Sequence, residues 1–280
     1  ICFLISFIVY YLTAEPTVGF WDTGEYITTS AKLQVGHPPG APLYQMLGAI
    51  FSIFAFEKEN IGFIMNLMSG FASALAISFM YWSIILILKK ITDTSEASIN
   101  KQILISGSAL VGSLAFAFTD TFWFSAVETE VYAMATLIMA VIFYLGLRWE
   151  ADMHNSRGNK WLLLICFVIG LSFGVHFMGL LVIPAIVMIY YFKNQKTILN
   201  STKVNPIIGF FIANIIGLAI LMGVFKLLLP NTLKFFSAIE LLFVNNLGLP
   251  FNSGTLVAFV VIVYIFYFLI NYTRKKGMVR

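Results

Sequence analysis

Charged side chains are scarce in this sequence. Asp, Glu, Lys and Arg together make up 11% of its 280 residues, against about 25% in soluble globular domains. Apolar residues account for 60%, and the mean hydropathy is +0.90. These values exclude a soluble domain and predict an all-α, polytopic transmembrane helical bundle, since apolar runs cross a bilayer as helices.

Cysteines and several catalytic motifs are also lacking. Cys2 and Cys166 both lie in apolar runs, which supports neither a disulfide framework nor a zinc site. The sequence has no P-loop, no dinucleotide-binding fingerprint and no H-E-x-x-H motif, so nucleotide hydrolysis and zinc proteolysis are unsupported. The net charge of +4 does not indicate nucleic acid as a partner, because the basic residues follow the membrane topology.

Long apolar runs predict about eight membrane spans in a single domain over residues 1 to 280. A further apolar run, 42 to 56, is short for a span and is predicted to be an interfacial or re-entrant helix. The predicted spans are residues 1 to 13, 61 to 88, 103 to 119, 130 to 147, 161 to 175, 177 to 192, 206 to 229 and 254 to 272.

Basic residues predict the orientation of these spans. Of the 17 Lys and Arg residues, all except Lys32, Lys58, Lys226 and Lys234 fall in three connecting loops and the C-terminal tail. Positive residues favour the cytoplasmic side. The first loop, residues 14 to 60, is therefore predicted to face outward.

Both ends of the sequence suggest a longer protein. The chain begins with Ile, its first apolar run is shorter than the roughly 20 residues of a span, and it ends on a basic segment, Arg274 to Arg280. We expect this chain to be a part of that protein.

Acidic residues in the first outer loop are the candidate catalytic groups. Asp22 and Glu25 are three positions apart, so on a helix they share a face, and the preceding Trp21 could stack on a sugar ring. An alternative is a capping box, with Asp22 as the N-cap of a helix that runs to about Val35. Both interpretations are compatible with the sequence.

Histidines and one lysine are the candidate substrate-binding groups. His37 precedes Pro38, which favours extended backbone and a rigid corner on the outer side. His176 lies at the tip of a short predicted hairpin, residues 161 to 192, whose limbs are too short to reach the surface and imply a sunken cavity. Lys226, the basic residue within an apolar span, could bind phosphate or could snorkel to the interface.

A second acidic pair is the candidate metal site. Glu128 and Glu130 follow Trp123 on the predicted outer side, and their oxygens could hold a hard divalent cation such as Mg²⁺ or Mn²⁺. The alternative is again a helix cap, with Ser125 and Glu128 as a capping box. No cofactor is certain from the sequence.

Three segments carry a resemblance to a known family. Phe20 to Tyr44, Val127 to Tyr132 and Gly170 to His176 resemble the GT-C superfamily of membrane glycosyltransferases, and more closely the domain-of-unknown-function 2723 / transmembrane protein 260 family of protein O-mannosyltransferases. The resemblance covers about residues 1 to 190.

This resemblance implies a GT-C helical bundle that transfers a sugar, mannose in the nearer family, with inversion. The implied partners are a polyprenyl-phosphate-linked donor, an acceptor polypeptide with Ser or Thr hydroxyls, and membrane lipid. Asp22 matches the first-loop catalytic base, and Glu128 with Glu130 matches a metal-binding acidic pair. The site would face the periplasm across a bacterial inner membrane, or the lumen of the endoplasmic reticulum.

Two hypotheses from other classes stay open. A transporter or lipid flippase would also place charges at membrane depth, although in broken helices near the midplane. A scaffold subunit without a site would use Asp22 and Glu128 as helix caps alone.

Overall fold

The computed structural model describes residues 1–38, 40–92, 98–155 and 158–275. These residues form helices and connecting segments without strands, which confirms the all-α prediction. The α-helices are α1 Cys2–Thr13, α2 Thr23–Ala31, α3 Pro42–Ser52, α4 Ile61–Ile91, α5 Ile99–Ala117, α6 Asp120–Val127, α7 Val131–Asp152, α8 Asn159–Ser172, α9 Ile183–Thr202, α10 Pro206–Gly223, α11 Leu229–Leu241 and α12 Ser253–Lys275.

Fewer helices than predicted are long enough to cross a membrane. Five candidate spans are present among the described residues, and the bent pair α5 and α6, at 70° to each other, could make a sixth. Helices α1 and α8 contain 12 and 14 residues, or about 18 and 21 Å at 1.5 Å per residue, against a hydrocarbon core of about 30 Å. The prediction of eight full spans is therefore not confirmed.

The chain forms two compact units. The first comprises Ile1–Ala151 with Trp161–Val182, and the second comprises Asp152–Lys160 with Ile183–Arg280. The single domain expected over residues 1 to 280 stays a prediction.

Helix α4 is the centre of the first unit, since α1, α3, α5 and α6 all contact it. Small side chains on α4, including Ser69, Gly70 and Ser73, are buried and let neighbouring backbones approach closely. A Cβ on Gly70 would lie 3.3 Å from both Tyr10 Cβ of α1 and the carbonyl oxygen of Ala126. The loops that precede α2 and α7 are thereby held beside α4.

Helix α3 corresponds to the predicted apolar helix 42 to 56, but it ends earlier, at Ser52. Its first N–H groups lack a side-chain cap. The backbone N–H groups of Leu43 and Tyr44 instead donate to the carbonyl oxygen of Gly174, at 2.7 and 3.1 Å. The interfacial position of this helix stays a prediction.

The second unit contains two helix pairs. α9 packs on α10, and α11 packs on α12. Glu240 of α11 accepts hydrogen bonds from the backbone N–H groups of Asn252 and Thr255, both at 2.7 Å, and so caps the start of α12 from outside the helix.

Candidate active site

Asp22 begins helix α2 but does not cap it. It is the N-cap residue by position, yet its side chain makes no capping hydrogen bond, and that side chain is 56% exposed. Trp21 precedes it with a φ of 58°, a left-handed conformation that costs a bulky residue free energy. The carboxylate of Asp22 is therefore free to contact other groups, contrary to the capping-box alternative.

Helix α2 ends at Ala31 rather than at the predicted Val35. Leu33 adopts a φ of 49°, and the N–H groups of Leu33 and Gln34 donate to the carbonyls of Ser30 and Thr29. These two bonds form a Schellman motif, which stops a helix and turns the chain. The turn sends the following residues back along α2.

Glu25 binds the returning chain instead of completing a capping box. Its carboxylate accepts the backbone N–H of His37 at 2.6 Å and contacts Nδ1 of the same residue at 3.0 Å. A Cβ on Gly36 would lie only 2.9 Å from Glu25 Oε1, so the glycine makes room for this contact. The N–H of Gly40 closes the next turn on the His37 carbonyl at 2.8 Å. Pro39, part of the predicted rigid corner, lies outside the described residues.

These contacts set the charges of the pair. The backbone hydrogen bond from His37, followed by that from its ring, lowers the pKa of Glu25. The hydrogen bond to Glu25 raises the pKa of His37. Both shifts favour a charged imidazolium beside a charged carboxylate.

Asp22 lies on the other side of the same imidazole. Its Oδ2 is 3.9 Å from His37 Nε2, and one ligand atom from each of Asp22, Glu25 and His37 lies within 4.8 Å of the others. Two carboxylates and an imidazole could hold a divalent cation. They could equally hold and move protons, because His37 lies between an exposed carboxylate and a hydrogen-bonded one.

Glu130 adjoins this cluster. It is only 9% exposed, and its carboxylate accepts hydrogen bonds from the backbone N–H groups of Asp22 and Val131. Burial, followed by the negative charge of Asp22, raises the pKa of Glu130 to about 7. The charges of Glu130, Asp22 and Glu25 also act on Tyr26, whose pKa rises to about 12, with burial as the largest cause.

Glu128 has a different environment. A Cβ on Gly19 would lie 2.8 Å from the Glu128 carboxyl carbon, and Oε2 is buried without a hydrogen-bond partner. Burial, followed by the charge of Glu15, raises the pKa of Glu128. The predicted cap with Ser125 is wrong, because Ser125 lies inside α6 and donates to the Thr121 carbonyl, whereas Glu128 is extended.

A metal site at Glu128 and Glu130 stays a prediction. Among the described residues, the group of three ligating side chains is Asp22, Glu25 and His37. Thr129, between the two glutamates, is buried and donates its hydroxyl to Oδ1 of Asn66.

Asn66 was not selected from the sequence. It lies on α4, is 0% exposed, and its amide donates to the carbonyls of Glu15 and Thr17, at 2.7 and 3.0 Å. An amide within an otherwise apolar span was the available signal, because a buried polar side chain in a membrane helix needs partners.

The remaining candidates lie at different distances from the cluster. Trp21 is 89% exposed, which suits a contact with a substrate. His176 belongs to the same unit and its ring centroid is 5.5 Å from that of Tyr132, two residues after Glu130. Burial lowers the pKa of His176, which favours a neutral imidazole that accepts the N–H of Met178 at 3.2 Å.

Lys226 belongs to the second unit. It lies on a π-helical turn, Val224–Leu228, and its ammonium is 5.4 Å from the centroid of the Phe225 ring. Its role in phosphate binding stays a prediction.

Ser172 is the central residue of a Gly-x-Ser-x-Gly sequence, Gly170 to Gly174. Its hydroxyl is fully buried and donates to the Ile169 carbonyl at 2.6 Å, inside the last turn of α8. A catalytic serine needs an exposed hydroxyl on a strand-to-helix turn, so this match has no nucleophilic role.

The fold and the cluster define an integral membrane protein of helices, with acidic and histidine side chains gathered in a connecting segment. Residues 22–199 match the model of the N-terminal domain of protein O-mannosyl-transferase TMEM260. The chain belongs to this family.

Two curated relatives carry the same name. The Dictyostelium discoideum protein O-mannosyl-transferase tmem260 is 24% identical over 210 residues, which cover 71% of this chain and 24% of that protein. The mouse protein O-mannosyl-transferase TMEM260 is 27% identical over 167 residues, which cover 59% of this chain and 21% of that protein. The chain thus spans about a quarter of these relatives, and no solved structure matches it.

Proposed function

We propose that this chain carries the catalytic site of a membrane protein O-mannosyltransferase. The cluster of Asp22, Glu25 and His37 is the observation that supports this proposal most directly. The names of the two relatives supply the reaction class. The proposed donor is a polyprenyl-phosphate-linked mannose, and the proposed acceptors are Ser or Thr hydroxyls of a polypeptide.

The proposed reaction is a single displacement with inversion. The acceptor oxygen forms a bond to the anomeric carbon as the bond from that carbon to the phosphate oxygen breaks. Asp22 accepts the hydroxyl proton, and the electron pair of the broken bond leaves with the polyprenyl phosphate. The exposed carboxylate of Asp22, unused in helix capping, suits a general base.

His37 and Glu25 support this base. Glu25 binds Nδ1 of His37 at 3.0 Å, so Nε2 faces Asp22 at 3.9 Å. The imidazole is thereby fixed beside the Asp22 carboxylate, on the side opposite Glu25. Glu25 therefore acts on Asp22 through His37.

As an alternative to the imidazolium proton, a divalent cation could be held by the same side chains, because a histidine ligand must be neutral. Asp22, Glu25 and His37 would be its ligands, with the mixed oxygen and nitrogen donors that Mn²⁺ accepts. When bound, it would supply positive charge for the leaving phosphate. Exposed Trp21 would contact the sugar or the acceptor, and the site would face the periplasm or lumen.

The location of the cluster favours a transferase over the transporter hypothesis. The three side chains lie between α1 and α3: Asp22 immediately before α2, Glu25 within it, and His37 in the segment after it. A transporter is expected to place them in a broken helix near the bilayer midplane.

Transfer from polyprenyl-phosphate mannose to an acceptor peptide tests the proposal, with the full-length protein in membranes and with or without a chelator. Asp22→Asn should lower the rate by about 10²- to 10⁴-fold, the usual contribution of a general base. Replacing the exposed Asn60 with Asp is the control for expression and folding. Near-normal transfer by Asp22→Asn would exclude Asp22 as the base.

A further inference from the structure

We propose that Asn66 is the positioning residue that holds the two acidic segments of this site together. The inference rests on the proposed function for its catalytic meaning, whereas the contacts themselves belong to the structure. Asn66 touches neither Asp22 nor Glu130 in these contacts and acts through the backbone that carries them.

The hydrogen bonds of Asn66 join two distant parts of the chain. Its Nδ2 donates to the carbonyls of Glu15 and Thr17, at 2.7 and 3.0 Å. Its Oδ1 accepts the hydroxyl of Thr129, and both Asn66 and Thr129 are fully buried. One amide thus links the segment that leads to Asp22 with the segment that contains Glu128 and Glu130.

Chemistry permits one orientation of this amide. The carbonyl oxygens of Glu15 and Thr17 only accept hydrogen bonds, so they must face the NH₂ group. The Thr129 hydroxyl donates to the remaining oxygen. Among the side chains of this size, only an amide offers two donors and an acceptor, and neither Asp nor Leu can replace all three bonds.

Neighbouring contacts show that the two segments are closely fitted around this residue. The N–H of Glu15 donates to the carbonyl of Val127 at 3.0 Å. A Cβ on Gly62, one turn before Asn66, would lie 2.9 Å from the Thr17 carbonyl oxygen, and one on Gly19 would overlap the Glu128 carboxylate. A shift of either segment would therefore move the acidic groups relative to one another.

The main test replaces Asn66 with Asp in the full-length protein. The new carboxylate faces two carbonyl oxygens that it cannot bind. Glu15 supplies one of these carbonyls, and Glu128 and Glu130 flank Thr129 in the sequence. Transfer at pH 7.5 should fall at least about tenfold, the effect of leaving buried polar groups unsatisfied. The fall should be in kcat rather than in KM, because Asn66 does not itself bind the substrate.

A pH profile separates positioning from a general loss of structure. A protonated Asp has one O–H donor and restores one of the two lost bonds. The rate of Asn66→Asp relative to the parent protein should therefore rise as the pH falls. The control Asn60→Asp introduces the same charge at an exposed position six residues earlier on the chain, and its relative rate should be constant.

A cross-linking measurement reports the geometry without any activity. Cysteines at positions 15 and 127, in a background without other accessible cysteines, should be joined efficiently by a short bis-maleimide, which adds one thiol at each end, in the parent protein. The yield should drop several-fold with Asn66→Asp. If the parent shows no transfer, the proposed function fails, and this yield still decides the inference about Asn66.

Thr129 provides a second pair of variants in case Asn66→Asp does not accumulate in membranes. Thr129→Val removes the donor to Asn66 and should lower both the rate and the cross-linking yield, whereas Thr129→Ser keeps the hydroxyl and should resemble the parent. Unchanged cross-linking in the Asn66 and Thr129→Val variants, with or without a loss of transfer, would overturn the proposal.

Discussion

Glu25 shows how one side chain can set the shape of a functional loop. Sequence spacing is compatible with a helix cap for this residue, but its carboxylate instead binds both the backbone and the ring of His37, 12 positions further along the chain. This contact orients the imidazole toward Asp22. Glu25 therefore positions His37 and does not cap a helix.

The contact between Glu25 and His37 predicts that the segment around His37 is most ordered within a limited pH range. The pKa of Glu25 is lowered from its ordinary value of 4.5, so Glu25 keeps its charge at pH 4.5. Its contact with His37 weakens as the pH falls further, through the lowered pKa. His37 loses its charge as the pH rises through its raised pKa, above the ordinary 6.5. Hydrogen exchange at Gly36 and His37, corrected for intrinsic rates, should be slowest between these limits.

Glu25→Gln is the matched variant for this measurement. It keeps the size of the side chain and removes its titration, so exchange at Gly36 and His37 should be faster and should lose its dependence on pH below 4.5. An unchanged profile in this variant would show that another group orders the loop.

At the scale of elements, Gly174 determines where α3 docks. Its carbonyl receives the first N–H groups of α3, and a Cβ at this position would lie 2.6 Å from Leu43 Cβ. Gly170, four residues earlier on the same segment, has no atom within 4 Å of such a Cβ. The two glycines look equivalent in the sequence but differ in their contacts.

This difference predicts opposite effects of alanine. Gly174→Ala should lower the free energy of unfolding by about 1–3 kcal/mol, because overpacking displaces α3. Gly170→Ala should leave it unchanged or raise it by up to about 1 kcal/mol, since alanine favours helix. Thermal unfolding of the purified protein in detergent measures both. Equal destabilisation by the two variants would contradict the assigned contact.

At the scale of the whole molecule, the number of spans and the distribution of charge decide the topology. The loops predicted to be cytoplasmic carry most of the basic residues, although Arg157, Lys276 and Arg280 lie outside the described residues. The five long helices agree with five of the eight predicted spans. The other three predicted spans correspond to the bent pair α5 and α6 and to the short helices α1 and α8.

Cysteine labelling tests whether exactly one of these two segments, the bent pair and α8, crosses the membrane. A cysteine at Glu59, in the predicted outer loop, should react with an impermeant reagent added outside. A cysteine at Lys196 should react only after permeabilisation, as the positive-inside rule predicts. These positions fall on opposite sides if the bent pair and α8 both cross or neither crosses. Labelling of both from outside would mean that only one of them does.

The sequence by itself determined the class of the protein and the location of its unusual charges. Apolar runs separate from polar connections because a bilayer accepts few charged groups, so the helices and the acidic loop could be predicted locally. The residues Asp22, Glu25 and His37 were identified in this way. Spacing does not define their roles, because a capping box and a catalytic pair have the same spacing.

Only the tertiary structure decided which of these side chains meet. Leu33 ends α2 early and returns the chain, so that Glu25 contacts His37. Asn66 joins segments more than 45 positions away on either side. Such contacts depend on where the chain reverses and on where the side chains point. Spacing along the sequence does not encode these features, because packing against residues distant in the sequence determines them.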